Sequence, residues 1–542
     1  MLFLTHLLAV LGFLSLLLFL WRARSSPNKP KGTILPPELP GAWPIIGHLH
    51  LLRGKTPLAR TLAAMADKQG PVFRIQLGVH PTTVISSREA VQECFTTHDK
   101  DLASRPKSKV GIHLGYGYTA FPFAQYGDLW REMRKITVFE LLNTRRLDDL
   151  KHVQASEIDT FIKDLHTLCR TNADNAQNGS SKVVVISEML ELLTLNIITR
   201  MIASKRYFGL PLASTGSSTD DDEASQLKEV IRDFMYLFGF PAVSDLLPFA
   251  GWTDCVGTVK AMKRVARELD EIVGKWVEEH KLKRGGDHER GEVIDDVKKD
   301  FIDVMLSLIG EDSFAKFGHS PETLIKATVV SILVAGSDTV SLTLVWVLSL
   351  LLNHKHVLKR AQEEMDLNVG KDKWVQDSNI ESLPYLQAIV KETLRLYPAG
   401  PLAIPHEASE DCTVSGFLIP KGTQIFINIW KLHRDSQVWS DPEKFLPERF
   451  LTDHSGTDAL GQHFEFIPFG SGRRLCPGAP FAFRAIHLTL ARLLQGFDLA
   501  TPSDEPVDMT EGLGATLPKA TPLRVVLTPR LPPKLYEQLA AN

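Results

Sequence analysis

The sequence predicts a mainly α fold with small β-sheets, of the α+β class, behind an N-terminal membrane helix. Three observations carry this expectation. Leu2 to Trp21 is almost continuously apolar, broken only by Thr5, His6, Gly12 and Ser15, and about twenty helical residues cross about 30 Å of hydrocarbon. Pro321 to Leu352 reads as a second long apolar helix, deep within the chain. Val72 to Leu77 and Thr82 to Ser86 read as short strands separated by Gly78 and Pro81, which predicts a small sheet early in the body. A chain of 542 residues exceeds an average domain, but a large helical body can share one core, so length leaves the domain count open. The net charge of -3 carries no bulk basic signature for nucleic acid. Cys94, Cys169, Cys255, Cys412 and Cys476 are odd in number and unclustered, which argues against a disulfide framework and against zinc and fits a reducing compartment.

Taken in order, residues 1–21 form the anchor. No basic residue precedes the apolar run and no clear small-residue cleavage site follows it, so an anchor is favoured over a cleaved signal peptide. Arg22, Arg24, Lys29 and Lys31 come next, which by the positive-inside tendency leaves the N-terminus lumenal and the body cytosolic, with the endoplasmic reticulum as the membrane. Residues 22–48 hold Pro27, Pro30, Pro36, Pro37, Pro40 and Pro44, a stretch that can be neither helix nor strand interior and reads as a semi-rigid hinge. Residues 49–542 then form the body. Leu212 to Gln226, rich in Ser, Thr and Asp, and the charged run from Glu278 to Asp300 read as exposed connections, and the segments at Phe238 and Leu246 as apolar loops. Asn178-Gly179-Ser180 is a glycosylation sequon, unused if this part is cytosolic.

The chemistry concentrates in Phe469-Gly470-Ser471-Gly472-Arg473-Arg474-Leu475-Cys476-Pro477-Gly478. A single cysteine lies on a glycine-flanked loop that enters a helix at Ala479, where amides and helix dipole favour a thiolate and Gly472 and Gly478 permit close approach of a flat ligand. A buried free cysteine in a turn would not need an aromatic, an arginine and three glycines at fixed offsets. Trp130 and Arg134 fall at i and i+4 on one helix face, able to reach a carboxylate together. In Ala335-Gly336-Ser337-Asp338-Thr339, Gly336 costs about 1 kcal/mol against alanine in a helix interior, so something must approach the backbone there, either a flat ligand or another helix. Thr339 can bond back one turn and Asp338 supplies a carboxylate for proton delivery. Glu392 and Arg395 form an i, i+3 charge pair, and Arg449 follows in Pro447-Glu448-Arg449-Phe450.

The pattern F-x-x-G-x-R-x-C-x-G resembles the haem-ligand loop of the cytochrome P-450 monooxygenases, and the hinge, A-G-x-D-T, E-x-x-R and P-E-R-F follow in the order of that family. The likeness is nearest to plant microsomal enzymes acting on flavones, alkaloids and terpenoids. It implies a single catalytic domain binding haem b, with Cys476 the axial ligand of the iron and Phe469 and Arg474 beside it. Trp130, Arg134 and His406 are implied as haem contacts, Asp338 and Thr339 as the oxygen-activating pair, and Glu392, Arg395 and Arg449 as a buried structural network. The implied reaction inserts one atom of dioxygen into a small lipophilic substrate. With no G-x-G-x-x-G fingerprint in the chain, electrons would come from NADPH through a separate NADPH-cytochrome P-450 reductase in the same membrane lipid. Arg131, Lys135 and Arg473 are its expected basic contacts. The apolar segments from Val110 to Phe123, at Leu333 and Val334, from Leu402 to Ile404 and from Leu513 to Leu517 are expected around the substrate. The rival readings are a haem-thiolate isomerase or dehydratase and a non-catalytic haem or lipophile carrier.

Overall fold

The structure is a computed structural model that describes residues 34–175, 183–207, 218–247, 257–290, 299–310 and 314–539, with His6 and Gly12. The anchor expected over Leu2 to Trp21 and the sequon at Asn178 therefore lie outside the described residues. Among those described, one helix is long and apolar enough to cross a membrane, Pro321–Asn353, but its apolar window is 72% buried inside the fold, so it is the core helix of the body.

That helix, α8, organises the rest. Ser320 caps it by accepting from Thr323 N at 3.2 Å, Pro321 fills the first turn where no N–H is needed, and Glu322 meets the positive end of the dipole. Around it pack α4 (Ile186–Ala203), α6 (Thr258–Arg290), α9 (Pro384–Leu396) and α10 (Ala479–Gly496). Trp346, fully buried on α8, donates from its indole to Leu517 O at 2.7 Å and so ties the C-terminal loop to the core. A four-stranded sheet lies to one side, with β1 (Val72–Leu77) antiparallel to β2 (His80–Ile85), β4 (Gln424–Ile427) parallel to β2, and β3 (His406–Glu407) closing it antiparallel to β4. The two strands expected from the sequence are thus present.

Four expectations change. The hinge is docked where it is described: Leu39 N bonds Arg74 O at 2.9 Å and Arg74 N bonds Pro37 O at 2.8 Å, so prolines that cannot sit inside a sheet line its edge instead. The connection expected over Leu212 to Gln226 is helical from Ser218, as α5 (Ser218–Gly239), because Leu227, Val230, Ile231 and Phe234 repeat at helical spacing and are buried. Phe238 and Gly239 end that helix instead of forming a loop. The charged run from Glu278 continues α6 through Arg290, held by pairs such as Lys281 with Glu278 at 2.6 Å and with Glu322 at 3.0 Å.

Candidate haem-thiolate site

The Cys476 loop is built by its glycines and by the helix that follows. Gly470 and Gly472 adopt φ of 74° and 65°, the left-handed region, and a Cβ on Gly472 would strike Asp99 Oδ1 at 2.3 Å. The turn closes with Cys476 N donating to Phe469 O at 3.0 Å and with Ser471 Oγ donating to Gly461 O at 2.6 Å. The Phe469 ring is fixed 5.2 Å from Phe483 on α10. Cys476 is half-buried, just ahead of α10. Burial pushes its thiol above the ordinary range, opposed by the amides of Gly478 and Ala479 and by the nearby Arg134. Left to itself the sulfur keeps its proton. A bound metal cation would replace that proton, and the amides would then hold the resulting thiolate.

On α8, Thr339 Oγ1 donates to Ala335 O at 2.8 Å, the back-bond expected from the sequence, while the helix runs unbroken from Pro321 to Asn353. Ala335 is exposed in the middle of this buried helix, and Thr339 is partly accessible. Asp338 Oδ2 is shut away without a hydrogen-bond partner, and burial lifts its carboxyl to about 6, with the Thr516 hydroxyl opposing and Glu191 adding to the rise. A carboxyl that titrates near neutrality suits proton delivery. Gly336 has a different explanation from a flat ligand. A Cβ there would lie 2.7 Å from Ile198 Cδ1, so the missing side chain admits α4, and Thr194 Oγ1 seals the same crossing by donating to Ser337 O at 2.9 Å. Leu333 and Val334 are 0% and 3% exposed and belong to the core, leaving Ala335 as the residue that α8 presents. Val110, Leu114 and Phe121 are likewise core, and Leu517 is buried. Tyr116, Phe123 and Leu402 to Ile404 stay partly accessible, and Leu513 is exposed.

A group of buried and partly buried basic side chains stands beside the loop. Arg474 donates to Ala103 O at 2.7 Å, Phe121 O at 3.0 Å and Ala124 O at 2.6 Å, and its guanidinium stacks 4.6 Å from the Trp130 ring. Arg134 donates to Leu475 O, and His406 Nδ1 lies 2.7 Å from Leu102 O. A fourth member, Arg105, carries no local signal in the sequence; it is 6% exposed and donates to Ile404 O at 2.7 Å, Pro405 O at 2.9 Å and Pro122 O at 3.1 Å. An arginine between a serine and a proline looks like any solvated one; only the fold buries it. No described ion pair engages Arg105, Arg134 or Arg474. Burial and then Arg474 hold Arg105 well below the guanidinium range, and burial and then Arg134 bring Arg474 down to about 9. Burial, with Arg105 next, also keeps His406 well below its usual range. Sheltered guanidinia with no described acid to pair them fit a ligand bearing two carboxylates, as haem does.

Behind this site the charge network forms as the sequence implied. Arg395 grips Glu392 with Nε–Oε2 at 2.7 Å and Nη2–Oε1 at 2.8 Å, Arg449 Nε adds a bond to Oε1 at 3.1 Å, and all three side chains are at most 5% exposed. Arg395 also donates to His433 O at 2.8 Å and Pro442 O at 2.7 Å, which pins the segment leading to the cysteine loop. Sequence reasoning missed His433, whose Nε2 accepts from Ile467 N at 3.0 Å, and Trp439, whose ring lies 5.3 Å from the Arg395 guanidinium.

Thiol, back-bonded threonine and guanidinia without a described acid partner fit a haem-thiolate protein. The cytochrome P-450 profile matches residues 36–525. Vinorine hydroxylase of Rauvolfia serpentina is 47% identical over 98% of each chain, and a flavonoid-6-hydroxylase of Ocimum basilicum is 46% identical over 99% of each. A zebra fish cytochrome P-450 solved with progesterone superposes with a TM-score of 0.70 at 26% identity, over 88% of this chain and 100% of its own. The chain therefore belongs to the cytochrome P-450 family, and it is a haem-containing monooxygenase.

Proposed function

We propose that this enzyme oxidises a lipophilic, multi-ring plant metabolite, a flavonoid, alkaloid or terpenoid, from the cytosolic face of the endoplasmic reticulum, with electrons from NADPH supplied by a separate reductase. The observation that carries the reading is Ala335 and Thr339 accessible on an otherwise buried helix, beside apolar segments that bear no described acid. Desolvating a strongly charged substrate there would cost several kcal/mol, whereas flat rings gain from burial. By name the hydroxylase relatives act on vinorine and on a flavonoid.

When bound, haem supplies dioxygen activation and oxygen insertion. Cys476 would hold the iron and supply electron density to it. Arg105, Arg134, Arg474, Trp130 and His406 would hold the carboxylates of the macrocycle. Asp338, near neutrality, passes protons from its buried position, and Thr339 Oγ1 hands them on toward the oxygen site. Thr339→Ala should keep haem and substrate binding yet lower product per NADPH by about tenfold or more, the loss appearing as peroxide. An unchanged ratio would reduce the hydroxyl to a packing role.

The reductase is placed on the cysteine side, where Arg131, Lys135 and Arg473 are exposed. Each has an acidic neighbour, Asp128, Glu132 at 3.1 Å and Asp99 at 3.2 Å, but exposed pairs of this kind are weak and exchange readily. Turnover of a flavonoid, alkaloid and terpenoid panel in microsomes that depends on NADPH and reductase supports the reading. A haem spin-state response to charged sugars or nucleotides, with none to lipophilic rings, overturns it. Protease added to sealed microsomes should digest the body; protection, or a glycan on Asn178, would reverse the topology.

A further inference from the structure

The fold gathers His280, Asp300 and Asp303, which take no part in the haem site. His280 lies on α6 and the aspartates open α7 (Phe301–Leu308), with exposures of 8%, 2% and 5%. One potential ligand atom from each lies within 4.8 Å of the others. His280 Nδ1 is 2.6 Å from Trp276 O, so that nitrogen carries a proton and donates, leaving Nε2 2.8 Å from Asp300 Oδ2. Asp300 Oδ2 also accepts from Ser204 Oγ at 2.8 Å, and its Oδ1 accepts from Asp303 N at 3.0 Å. Asp303 Oδ1 is buried with no hydrogen-bond partner.

The hydrogen bonds do not close with the described protein groups alone. Nε2 facing a carboxylate demands an imidazolium, and Lys283 on α6 adds a second positive charge near Asp303, yet no described donor reaches Asp303 Oδ1. A divalent cation with a neutral His280 balances both carboxylates and gives that oxygen a partner. The imidazole is already arranged for it, since metal-ligating histidines characteristically donate their other nitrogen to a carbonyl or carboxylate.

We infer that His280 Nε2, Asp300 and Asp303 bind a divalent cation of the zinc type, with water completing the shell. One nitrogen and two oxygens suit zinc, with bonds of about 2.0–2.2 Å, and the Nε2–Oδ2 pair, 2.8 Å apart here, would open slightly to admit the ion. The few cysteines speak against thiolate sites and leave a histidine–carboxylate site open. The ion would staple α6 to the start of α7 and, through Ser204, to the end of α4. Its role is structural, since it joins three helix segments.

The test uses full-length holoenzyme stripped with chelator and titrated with Zn²⁺, reading zinc per chain after gel filtration and the thermal midpoint. About one zinc per chain and a midpoint that falls on stripping and recovers on re-addition are expected, with His280→Gln and Asp303→Asn binding at least about tenfold more weakly at wild-type haem content. X-ray absorption at the zinc edge of the wild type, which needs no variant, should show nitrogen and oxygen neighbours. No retained zinc, equal binding by wild type and both variants, or a sulfur neighbour would overturn the assignment and leave an imidazolium–carboxylate clamp.

Discussion

Cys476→Ser is expected to abolish the red-shifted Soret band of the ferrous carbon monoxide complex and, with it, all NADPH-dependent turnover. The serine hydroxyl keeps its proton at neutral pH and offers a hard oxygen in place of a polarisable sulfur, so neither the electron donation nor the bond survives. No other described cysteine can take over. Cys94 and Cys412 are buried behind the four-stranded sheet, at 1% and 5% exposure, and burial pushes the Cys412 thiol to about 11. Cys169, partly buried on α3 (Lys151–Asn175), is likewise pushed to about 11 by burial and donates to Leu527 O at 3.5 Å. The fold itself should persist, because the backbone bonds of the loop do not involve the sulfur. A variant that keeps the band would sink the assignment of Cys476 as ligand.

Glu392→Gln is expected to destabilise the protein by about 3–5 kcal/mol, a large part of the 5–15 kcal/mol that holds a typical domain folded. The change is nearly isosteric, yet it removes the only acid that Arg395 and Arg449 share, leaving two buried guanidinia to repel each other. Arg395→Lys should fare little better, since an ammonium cannot reproduce the two-pronged grip or reach His433 O and Pro442 O together. Lys135→Ala, breaking an exposed pair with Glu132, should change stability by less than about 1 kcal/mol and serves as the control. Haem content per chain and the thermal midpoint measure all three. A wild-type midpoint in Glu392→Gln would show that the network does not hold the core.

The sequence by itself determined the cysteine loop, the two hairpin strands, the core helix and the Glu392–Arg395 pair, while the joining of Arg449 to that pair was implied only by the family resemblance. Each is set by neighbours a few positions away: glycine torsions, a proline, a helical repeat, an i, i+3 pair. What only the tertiary structure decided depends on which segment lies opposite. Gly336 reads as room for a ligand until Ile198 is seen filling it. Leu333 and Val334 are as apolar as a pocket wall, but the helix phase turns them into the core and brings out Ala335. Arg105 and Arg474 become a carboxylate cradle only because Ile404, Pro405, Ala103 and Phe121 deliver carbonyls from far along the chain and bury both cations without a counter-ion. Local patterns fix backbone geometry, since torsional preferences act over one or two turns. The burial of a charge and the face a helix presents are fixed by contacts between segments hundreds of residues apart, for which one sequence carries no periodic signal.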